Sequence, residues 1–307
     1  MGEQLRWGRH YAMVRPDHFR IDYAINPYMD VDRQPDLPRA RGQWDALRTV
    51  LESAGATVEV LGQHADAPDM VYAMNLGFAF RSAGVEAAEA ATEQAPGPRV
   101  VMSHMRYPER RSERLTAAPW FADLGFTPVD IGRDGVGGHL EAGDAFCWGD
   151  SVVAGFGPRT DELGLKALAA ELGTRVRGVQ IVHPGMYHLD LAFCPLDSTR
   201  AMVCPEAFDG PGAAALLDLV PEPLVLTEAE ALTFCANSVV VGRTVVMPAC
   251  PERVRRQLLA WGFEVVVVEM GELHKGGGSV RCLTNPLDIV VGRDVPPVPG
   301  GELLIVR

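Results

Sequence analysis

The sequence predicts an α/β fold, and three observations lead to that class. An amphipathic stretch followed by a β-branched run recurs along the chain. A glycine separates the two parts of each clear copy. Further short strand-like pieces with turn signals lie between the copies. Helical periodicity that alternates with strand-like runs is typical of mixed α/β proteins.

The repeated unit is a helix, a turn glycine and a strand. Gly55, Gly125, Gly173 and Gly262 fit the position just after a helix, where the left-handed conformation is easiest without a Cβ. The copies read WDALRTVLESAGATVEVL, APWFADLGFTPVDI, LKALAAELGTRVRGVQIV and ERVRRQLLAWGFEVVVVE, with a weaker fifth, PGAAALLDLVPEPLVL.

Additional strands are predicted outside these units, in SVVAGF, RAMVCPEAF and NSVVVGRTVVMP. The alanine- and glutamate-rich stretch from Arg81 to Arg99 interrupts two strand-like pieces, and we expect it to be a surface insertion. Five copies of one unit favour a closed ring, because each unit buries its apolar face only by stacking on its neighbours. A doubly wound α/β sheet fits the same alternation. No linker separates domains, so residues 1–307 are predicted to form a single domain.

The composition excludes several classes of partner. A formal charge of −12 and a pI near 5.1 leave no basic surface for nucleic acid or an anionic membrane. No apolar run reaches membrane-spanning length, and the first residues, MGEQLRWGRHYAMVRP, are polar, so we expect a cytoplasmic protein. The acidic surface suits a small cationic substrate, although acidity also serves solubility.

Cys282 stands apart from the other cysteines. The six cysteines are scattered without a CxxC pair, and most are expected to be small buried hydrophobic residues. Cys282 follows three consecutive glycines in HKGGGSVRCLTNP, after the apolar strand EVVVVEM. Glycines there allow close approach of a ligand, so we expect an exposed nucleophile.

Two further stretches supply the groups that a cysteine nucleophile needs. PGMYHLDLAFCP places His188 beside a glycine and Asp190, at the predicted end of a strand, and imidazole can exchange protons near neutral pH. HLEAGDAF carries Glu141 and Asp144, which could orient the histidine or bind a cation. Taken singly, such residues are more often structural.

Metal binding is a competing use of these side chains, but their spacing matches no zinc pattern, so no metal and no organic cofactor are predicted.

Taken together, these stretches resemble the guanidino-group modifying enzymes, which include dimethylarginine dimethylaminohydrolases, arginine deiminases, arginine dihydrolases and amidinotransferases. The resemblance runs along nearly the whole chain in the family's order. It is carried by RPDHFRIDYAINPYM, PDMVYAMNLGF, MRYPERRSE, HLEAGDAF, FGPRTDE, YHLDLAFCPL and GGGSVRCLT.

The resemblance implies a five-bladed α/β propeller of the pentein type, with its active site in a central channel. It implies that Cys282 is the nucleophile, His188 the general acid and base, and Glu141 their acidic partner. Six further residues match positions that bind the substrate or its surroundings in the family: Asn26, Asn75, Arg110, Asp144, Arg159 and Asp190. Of these, the arginines match positions for the amino-acid carboxylate, and Asn75 bears on which substrate and which outcome are chosen.

The resemblance predicts a hydrolase that acts on the guanidinium carbon of arginine or an N-substituted arginine through a covalent thiouronium. An amidinotransferase is one alternative, and a non-catalytic propeller that binds arginine-like metabolites is another. The chain departs from the dihydrolase branch in AMNLG, in HLDLAF and in the insertion, which leaves the substrate open. Because faces of such propellers commonly pair, a homodimer is the default expectation.

Overall fold

The computed structural model describes residues 2–83 and 97–306, and these form a mixed α/β structure, as predicted. The described helices, several of them one turn long, are α1 Leu37–Ser53, α2 Glu113–Asp123, α3 Glu162–Leu172, α4 Gly210–Leu219, α5 Glu228–Ala231, α6 Glu252–Ala260 and α7 Gly271–His274.

The strands of the described part of the chain are short. They are β1 His10–Val14, β2 Thr57–Leu61, β3 Gly77–Ser82, β4 Arg99–Met102, β5 Thr127–Asp130, β6 Gly132–Arg133, β7 Val136–Gly137, β8 Ala145–Trp148, β9 Ser151–Phe156, β10 Arg175–Gln180, β11 Phe193–Pro195, β12 Arg200–Val203, β13 Glu222–Val225, β14 Val239–Val241, β15 Thr244–Met247, β16 Glu264–Val267, β17 Asn285–Pro286, β18 Val290–Val291 and β19 Glu302–Ile305.

Apart from the β6–β7 ribbon, these strands form five small sheets with one common topology. The orders are β17-β1-β2, β18-β3-β4-β5, β19-β10-β9-β8, β11-β12-β13 and β14-β15-β16. In each sheet one strand pairs antiparallel with a central strand, and a helix then leads from the central strand to a parallel neighbour. The five helix-and-strand units that the sequence predicted are therefore the parallel halves of five separate sheets.

The carboxyl-terminal strands join sheets that begin much earlier in the chain. β17 pairs with β1, β18 with β3, and β19 with β10. Three sheets are thus completed only by the last part of the chain, which ties the two ends of the protein together. These long-range pairings involve strands of two to four residues, which is why no sequence pattern predicted them.

The predicted turn glycines adopt the left-handed backbone that their role requires. Gly55, Gly125, Gly173 and Gly262 have φ values of 97°, 84°, 58° and 75°. A side chain at such a φ would be strained. The predicted insertion falls largely on residues 84–96, which lie outside the described residues.

The hydrophobic residues of the sheets pack beneath the helices. Trp44, Leu47 and Leu51 of α1 are fully buried, as are the inward-facing valines of the central strands. Four of the cysteines outside the nucleophile position are buried and Cys250 is half-buried, as predicted. Within residues 2–83 and 97–306, no helix is both long and apolar enough to cross a membrane.

Candidate active site

A turn with a polar side chain precedes the antiparallel strand of every one of the five sheets. The residues are Asn75 before β3, Asp144 before β8, Asp190 before β11, Asn237 before β14 and Cys282 before β17. All five side chains are buried. Because the five strands occupy the same place in their sheets, the common topology delivers these five side chains to equivalent positions.

Hydrogen bonds link these five turns in a closed circuit. Each link joins neighbouring turns through a backbone group on at least one side, so the circuit passes through all five sheets. The links are Gly143 N to Asn75 Oδ1 at 2.8 Å, Leu189 N to Asp144 Oδ1 at 2.9 Å, Asn237 Nδ2 to Asp190 O at 3.0 Å, Cys282 N to Asn237 Oδ1 at 3.2 Å, and Met74 N to Cys282 O at 2.9 Å.

The Cys282 thiol contacts two residues of this circuit. Its sulfur is 3.4 Å from Asp190 Oδ2 and 3.1 Å from Asn237 Nδ2. The residue is only 3% exposed, so the expectation of an exposed loop cysteine was wrong. Burial, and then the negative charge of Asp190, raise the pKa of the Cys282 thiol well above its usual value. The resting thiol is therefore protonated at neutral pH.

His188 begins the short turn that carries Asp190. The sequence placed it at the end of a strand, but β10 ends at Gln180 and His188 precedes a 3-10 turn, Leu189–Leu191. His188 Nε2 lies 2.9 Å from Glu141 Oε2. A carboxylate only accepts hydrogen bonds, so Nε2 carries the proton and Nδ1 is left for other chemistry.

One oxygen of Glu141 accepts from two side chains. Its Oε2 accepts from His188 and, at 3.0 Å, from Arg159 Nη1, and its Oε1 accepts from the backbone of Arg106 at 3.2 Å. Burial alone would raise the pKa of Glu141, but Arg159 and His188 bring it well below the usual range. Glu141 is therefore a permanent anion that fixes the orientation of the imidazole.

The neighbouring acids are buried and less well compensated. Asp144 accepts from Thr160 Oγ1 at 2.6 Å, and burial raises its pKa to about 7. Burial also raises the pKa of Asp190, whose Oδ1 has no hydrogen-bond partner. Gly143 lies against this acid, because a Cβ there would stand 3.1 Å from Asp190 Oδ2. The unpartnered oxygen is free to accept from a cationic ligand.

Both predicted carboxylate-binding arginines are paired inside the protein. Arg110 donates to Glu113 at 2.7 and 2.9 Å and to the backbone oxygen of Asp69 at 3.3 Å. Arg159 pairs with Glu141, and its guanidinium stacks 4.6 Å from the ring of Tyr187. Sequence reasoning did not foresee these internal partners. Binding of a substrate carboxylate by either arginine stays a prediction.

Asn26 contacts the glycine loop rather than the thiol. Its Nδ2 donates to Gly276 O at 3.0 Å, and its Oδ1 accepts from Tyr28 N at 2.9 Å. A Cβ at Gly277 would stand 2.6 Å from the Asn26 amide, and this glycine has a φ of 90°. The loop before Cys282 thus needs glycine for its backbone and for the approach of Asn26.

Sequence reasoning missed two residues of this site. Asn237 contacts the Cys282 sulfur. The sequence feature that could have identified it is its position at the start of the predicted strand stretch NSVVV. Asp69 is buried beside Arg110 and Tyr23, and burial raises its pKa to about 6 while its Oδ1 has no partner. A lone aspartate in PDMV carries no local signal.

Among the described residues, no group of three or more histidine, cysteine and acidic side chains is arranged to hold a metal ion.

Comparison with known proteins connects this geometry to a family. A family model described as N,N dimethylarginine dimethylhydrolase, eukaryotic, matches residues 15–289. The N(G),N(G)-dimethylarginine dimethylaminohydrolase of Mycobacterium tuberculosis is 36% identical over 276 residues, which are 90% of this chain and 85% of that protein. A bifunctional arginine dihydrolase/ornithine cyclodeaminase of Synechocystis sp. is 29% identical over 303 residues, which are 96% of this chain but 40% of that protein.

Solved structures agree with the described fold. The substrate-bound N-terminal domain of a cyanobacterial arginine dihydrolase, in which a cysteine is changed to serine, aligns with a TM-score of 0.82 at 28% identity and covers 92% of this chain and 98% of that chain. A dimethylarginine dimethylaminohydrolase adduct with S-methyl-L-thiocitrulline aligns with a TM-score of 0.70 at 19% identity, covering 93% of this chain and 100% of that chain. The second likeness concerns the fold alone.

Proposed function

Because the chain belongs to the N,N-dimethylarginine dimethylhydrolase family, and is thus a hydrolase of guanidino C–N bonds, we propose that Cys282 attacks the guanidinium carbon of arginine or an N-substituted arginine. The observation that supports this most is the convergence at the Asp190 turn. The Cys282 thiol contacts Asp190, and His188, two residues earlier, is held by Glu141. These residues come from distant parts of the chain and are all buried.

The five sheets are, in this proposal, the blades of a five-bladed pentein propeller that forms a single domain. The common topology of the sheets supports it, and so does the closed circuit of hydrogen bonds through their five turns. A circuit that returns to its starting sheet is what a ring of blades requires. The active site then lies where the five turns meet.

The acids at this meeting point suit a guanidinium group. Asp190 Oδ1 lacks a partner, and Asp144 is buried nearby with a pKa of about 7. A cation that binds here replaces lost hydration with charge-assisted hydrogen bonds and stabilises both acids in their charged form. Because Asp190 Oδ2 already faces the sulfur, a guanidinium on Asp190 would bring its carbon beside Cys282.

The amino-acid end of the substrate has a matching set of groups. Arg159 stacks between Tyr107 and Tyr187, at 4.8 and 4.6 Å, and its Nη1 and Nη2 donate to Glu141 and to the backbone oxygen of Ile25. In this proposal it binds the substrate carboxylate with the N–H groups that these two hydrogen bonds leave unused. Asp69 offers an unpartnered oxygen beside Arg110, where an α-amino group could donate. Asn26 belongs to the segment that contacts the glycine loop, and we propose that it closes this end of the site.

The first half of the reaction forms and then splits a tetrahedral adduct. The Cys282 sulfur adds to the guanidinium carbon as the thiol passes its proton to His188 Nδ1, and the imidazolium then delivers this proton to the departing nitrogen. The C–N bond breaks, an amine or ammonia leaves, and a positively charged thiouronium remains on Cys282. Protons balance, since the one lost by sulfur is replaced by the one gained by nitrogen.

The second half reverses these roles with water. His188, through Nδ1, takes a proton from a water molecule that attacks the thiouronium carbon. The C–S bond then breaks as the imidazolium returns this proton to the sulfur, and a ureido product such as citrulline leaves once the remaining hydroxyl proton of the adduct is lost to solvent. Glu141 remains ionised throughout and compensates the imidazolium that forms in each half.

Two substrates fit this site, and different observations favour each. The 36% identity to a dimethylarginine dimethylaminohydrolase favours methylated arginine. The likeness to an arginine dihydrolase domain favours arginine itself. We propose methylated arginine as the first candidate and arginine, hydrolysed twice to ornithine, as the second.

Product analysis separates these outcomes. The protein is incubated with asymmetric dimethylarginine, arginine and agmatine, and products are identified by mass spectrometry. Citrulline with dimethylamine identifies a dimethylargininase, and ornithine with ammonia identifies a dihydrolase. Transfer of the amidino group to an added amine would instead identify an amidinotransferase. Binding of these compounds without any turnover would identify a non-catalytic propeller and contradict the proposal.

A further inference from the structure

Asn237 makes four hydrogen bonds around the nucleophile. The residue is fully buried. Its Oδ1 accepts from the backbone nitrogens of Arg281 at 3.0 Å and Cys282 at 3.2 Å. Its Nδ2 donates to Asp190 O at 3.0 Å and to the Cys282 sulfur at 3.1 Å. One carboxamide thus holds the backbone and the sulfur of the nucleophile and the turn that carries Asp190.

The orientation of this carboxamide follows from its partners. Two backbone N–H groups can only donate, so the oxygen of Asn237 must face Arg281 and Cys282. The backbone oxygen of Asp190 can only accept, so the NH₂ group must face it. The sulfur lies on the same NH₂ side and therefore receives a hydrogen bond. The reversed amide would break three of the four contacts.

From this geometry we infer that Asn237 is a catalytic residue, whose carboxamide N–H donates to the Cys282 sulfur and stabilises the thiolate that attacks the guanidinium carbon. This inference rests on the proposed function of Cys282 as the nucleophile. A thiolate accepts such a hydrogen bond more strongly than a thiol does, so the bond favours the reactive form.

The surroundings of the sulfur explain why such a donor is needed. Burial and Asp190 both oppose ionisation of Cys282. The hydroxyl groups of Tyr72 and Tyr187 donate to backbone oxygens, at 2.6 Å each, and not to the sulfur. Arg281 is buried beside aromatic rings, 4.7 Å from one ring centroid, and its side chain makes no hydrogen bond to the sulfur.

The remaining titratable groups of the site do not supply this donor either. Among the described residues, no hydrogen bond joins His188 to the Cys282 sulfur, and the Nε2 proton of His188 is directed to Glu141. Within residues 2–83 and 97–306, Asn237 is therefore the side chain that donates a hydrogen bond to this sulfur.

The turn that carries Asn237 has an unusual backbone. Phe234 adopts a φ of 64°, the left-handed region that a bulky residue rarely enters. The Asn237 nitrogen donates to Phe234 O at 2.9 Å, and the Ser238 hydroxyl donates to Cys235 O at 2.7 Å. These bonds close the turn tightly before β14. The left-handed conformation of Phe234 costs free energy, and we attribute its presence to the placement of Asn237 against Cys282.

The test measures the thiol directly. Cys282 is alkylated with iodoacetamide across a pH series in the absence of substrate, and its peptide is quantified by mass spectrometry. Asn237→Asp keeps an acceptor for the two backbone N–H groups but replaces the donor by a charged oxygen, and Asn237→Ser removes the carboxamide without adding charge and leaves a hydroxyl one bond shorter than the Asn237 Nδ2. In both variants we expect the alkylation midpoint to rise by one pH unit or more. We expect kcat to fall about tenfold to a hundredfold, the range for losing a hydrogen bond to a charged group.

Thr284→Val is the matched control. The Thr284 hydroxyl donates at 3.1 Å to Val280 O and Arg281 O in the same nucleophile loop but does not contact the sulfur. This isosteric change should lower stability and leave the alkylation midpoint at the wild-type value. The inference is overturned if a folded Asn237→Ser protein has the wild-type midpoint, or if Thr284→Val shifts the midpoint equally.

A measurement on the unaltered protein covers variants that fail to fold. The side-chain amide signal of Asn237 in ¹⁵N NMR should shift with the same pH midpoint as Cys282 alkylation, and the shift should vanish after alkylation. An amide signal that ignores the state of the thiol would overturn the inference. Neither measurement requires turnover, so a protein inactive on every guanidino compound would refute the proposed function without deciding the role of Asn237.

Discussion

At the scale of single residues, Glu141 shows how burial and neighbouring charges together determine the protonation state of a proposed catalytic group. A buried carboxylate would ordinarily be neutralised by protonation. Here Arg159 and His188 share one of its oxygens, at 3.0 and 2.9 Å, and lower its pKa instead. The imidazole is thereby held in one tautomer. Loss of the negative charge should affect the reaction more than binding.

Glu141→Gln tests this interpretation. The amide keeps the shape but cannot compensate an imidazolium, so we expect kcat to fall by about a hundredfold or more, within the range of general acid and base catalysis. The Michaelis constant should change only a few-fold. Steady-state kinetics with asymmetric dimethylarginine measure both quantities. A Glu141→Gln enzyme with wild-type kcat would show that His188 needs no anionic partner.

Asp144 gives the stability of the protein a predictable pH dependence. Burial raises its pKa in the folded state to about 7, from an ordinary value of 3.8. A carboxyl group with a raised pKa contributes stability at low pH, and this contribution is lost as the pH rises through the folded value. From pH 5 to pH 8, this group alone should lower the free energy of unfolding by about 2 to 3 kcal/mol.

Urea unfolding at these two pH values measures the effect. Asp144→Asn cannot ionise, so its free energy of unfolding should fall less between pH 5 and pH 8 than that of the wild type, by the same amount. Asp69, whose pKa is raised to about 6, acts in the same direction in both proteins and cancels in the comparison. Equal pH dependence in wild type and variant would show that the pKa of Asp144 is not raised in the folded state.

At the scale of elements, the turns before the antiparallel strands are where packing and function meet. Gly143 donates to Asn75 Oδ1 at 2.8 Å, and a Cβ on this glycine would stand 2.8 Å from the same oxygen. The Asn75 oxygen cannot move away from an added side chain without breaking this hydrogen bond of the circuit. The turn therefore tolerates no side chain at this position.

Gly143→Ala should accordingly lower kcat/KM by about tenfold to a hundredfold, because a displacement of about 1 Å in a catalytic turn has effects of this size. Gly42→Ala in α1 is the matched control, since nothing lies within 4 Å of its added Cβ. The control should keep full activity and gain about 0.5 to 1 kcal/mol in free energy of unfolding. Equal activity in both variants would refute the role of this turn.

The helices and their following strands could be predicted because their signals are local. The glycine after each amphipathic stretch marked the end of α1, α2, α3 and α6, and the left-handed φ values confirm those positions. The 3-10 turns could not be predicted in this way. Each is three or four residues long and has no periodicity, so His188 was assigned to a strand end instead.

At the scale of the whole molecule, the site depends on contacts between segments far apart in the chain. Asn237 and Cys282 are 45 residues apart, and Cys282 and Asp190 are 92 residues apart. Such contacts cannot be identified from local sequence, which is why Asp69 was missed and why the place of Asn237 before a strand did not reveal its contact with Cys282. Family resemblance directed attention to Cys282, His188 and Glu141, and the common topology of the sheets explains how these residues meet.

In the proposed reaction, Cys282 forms a covalent bond to the guanidinium carbon. The most direct measurement is to mix the protein with asymmetric dimethylarginine, quench with acid within the first turnovers, and map the cysteine peptides by mass spectrometry. Cys250, which is more exposed than Cys282, controls for nonspecific modification. We predict a thiouronium adduct on the Cys282 peptide alone, and none in Cys282→Ser. A Cys282→Ser protein that turns over at the wild-type rate, with no adduct on Cys282 in the wild type, would contradict the account.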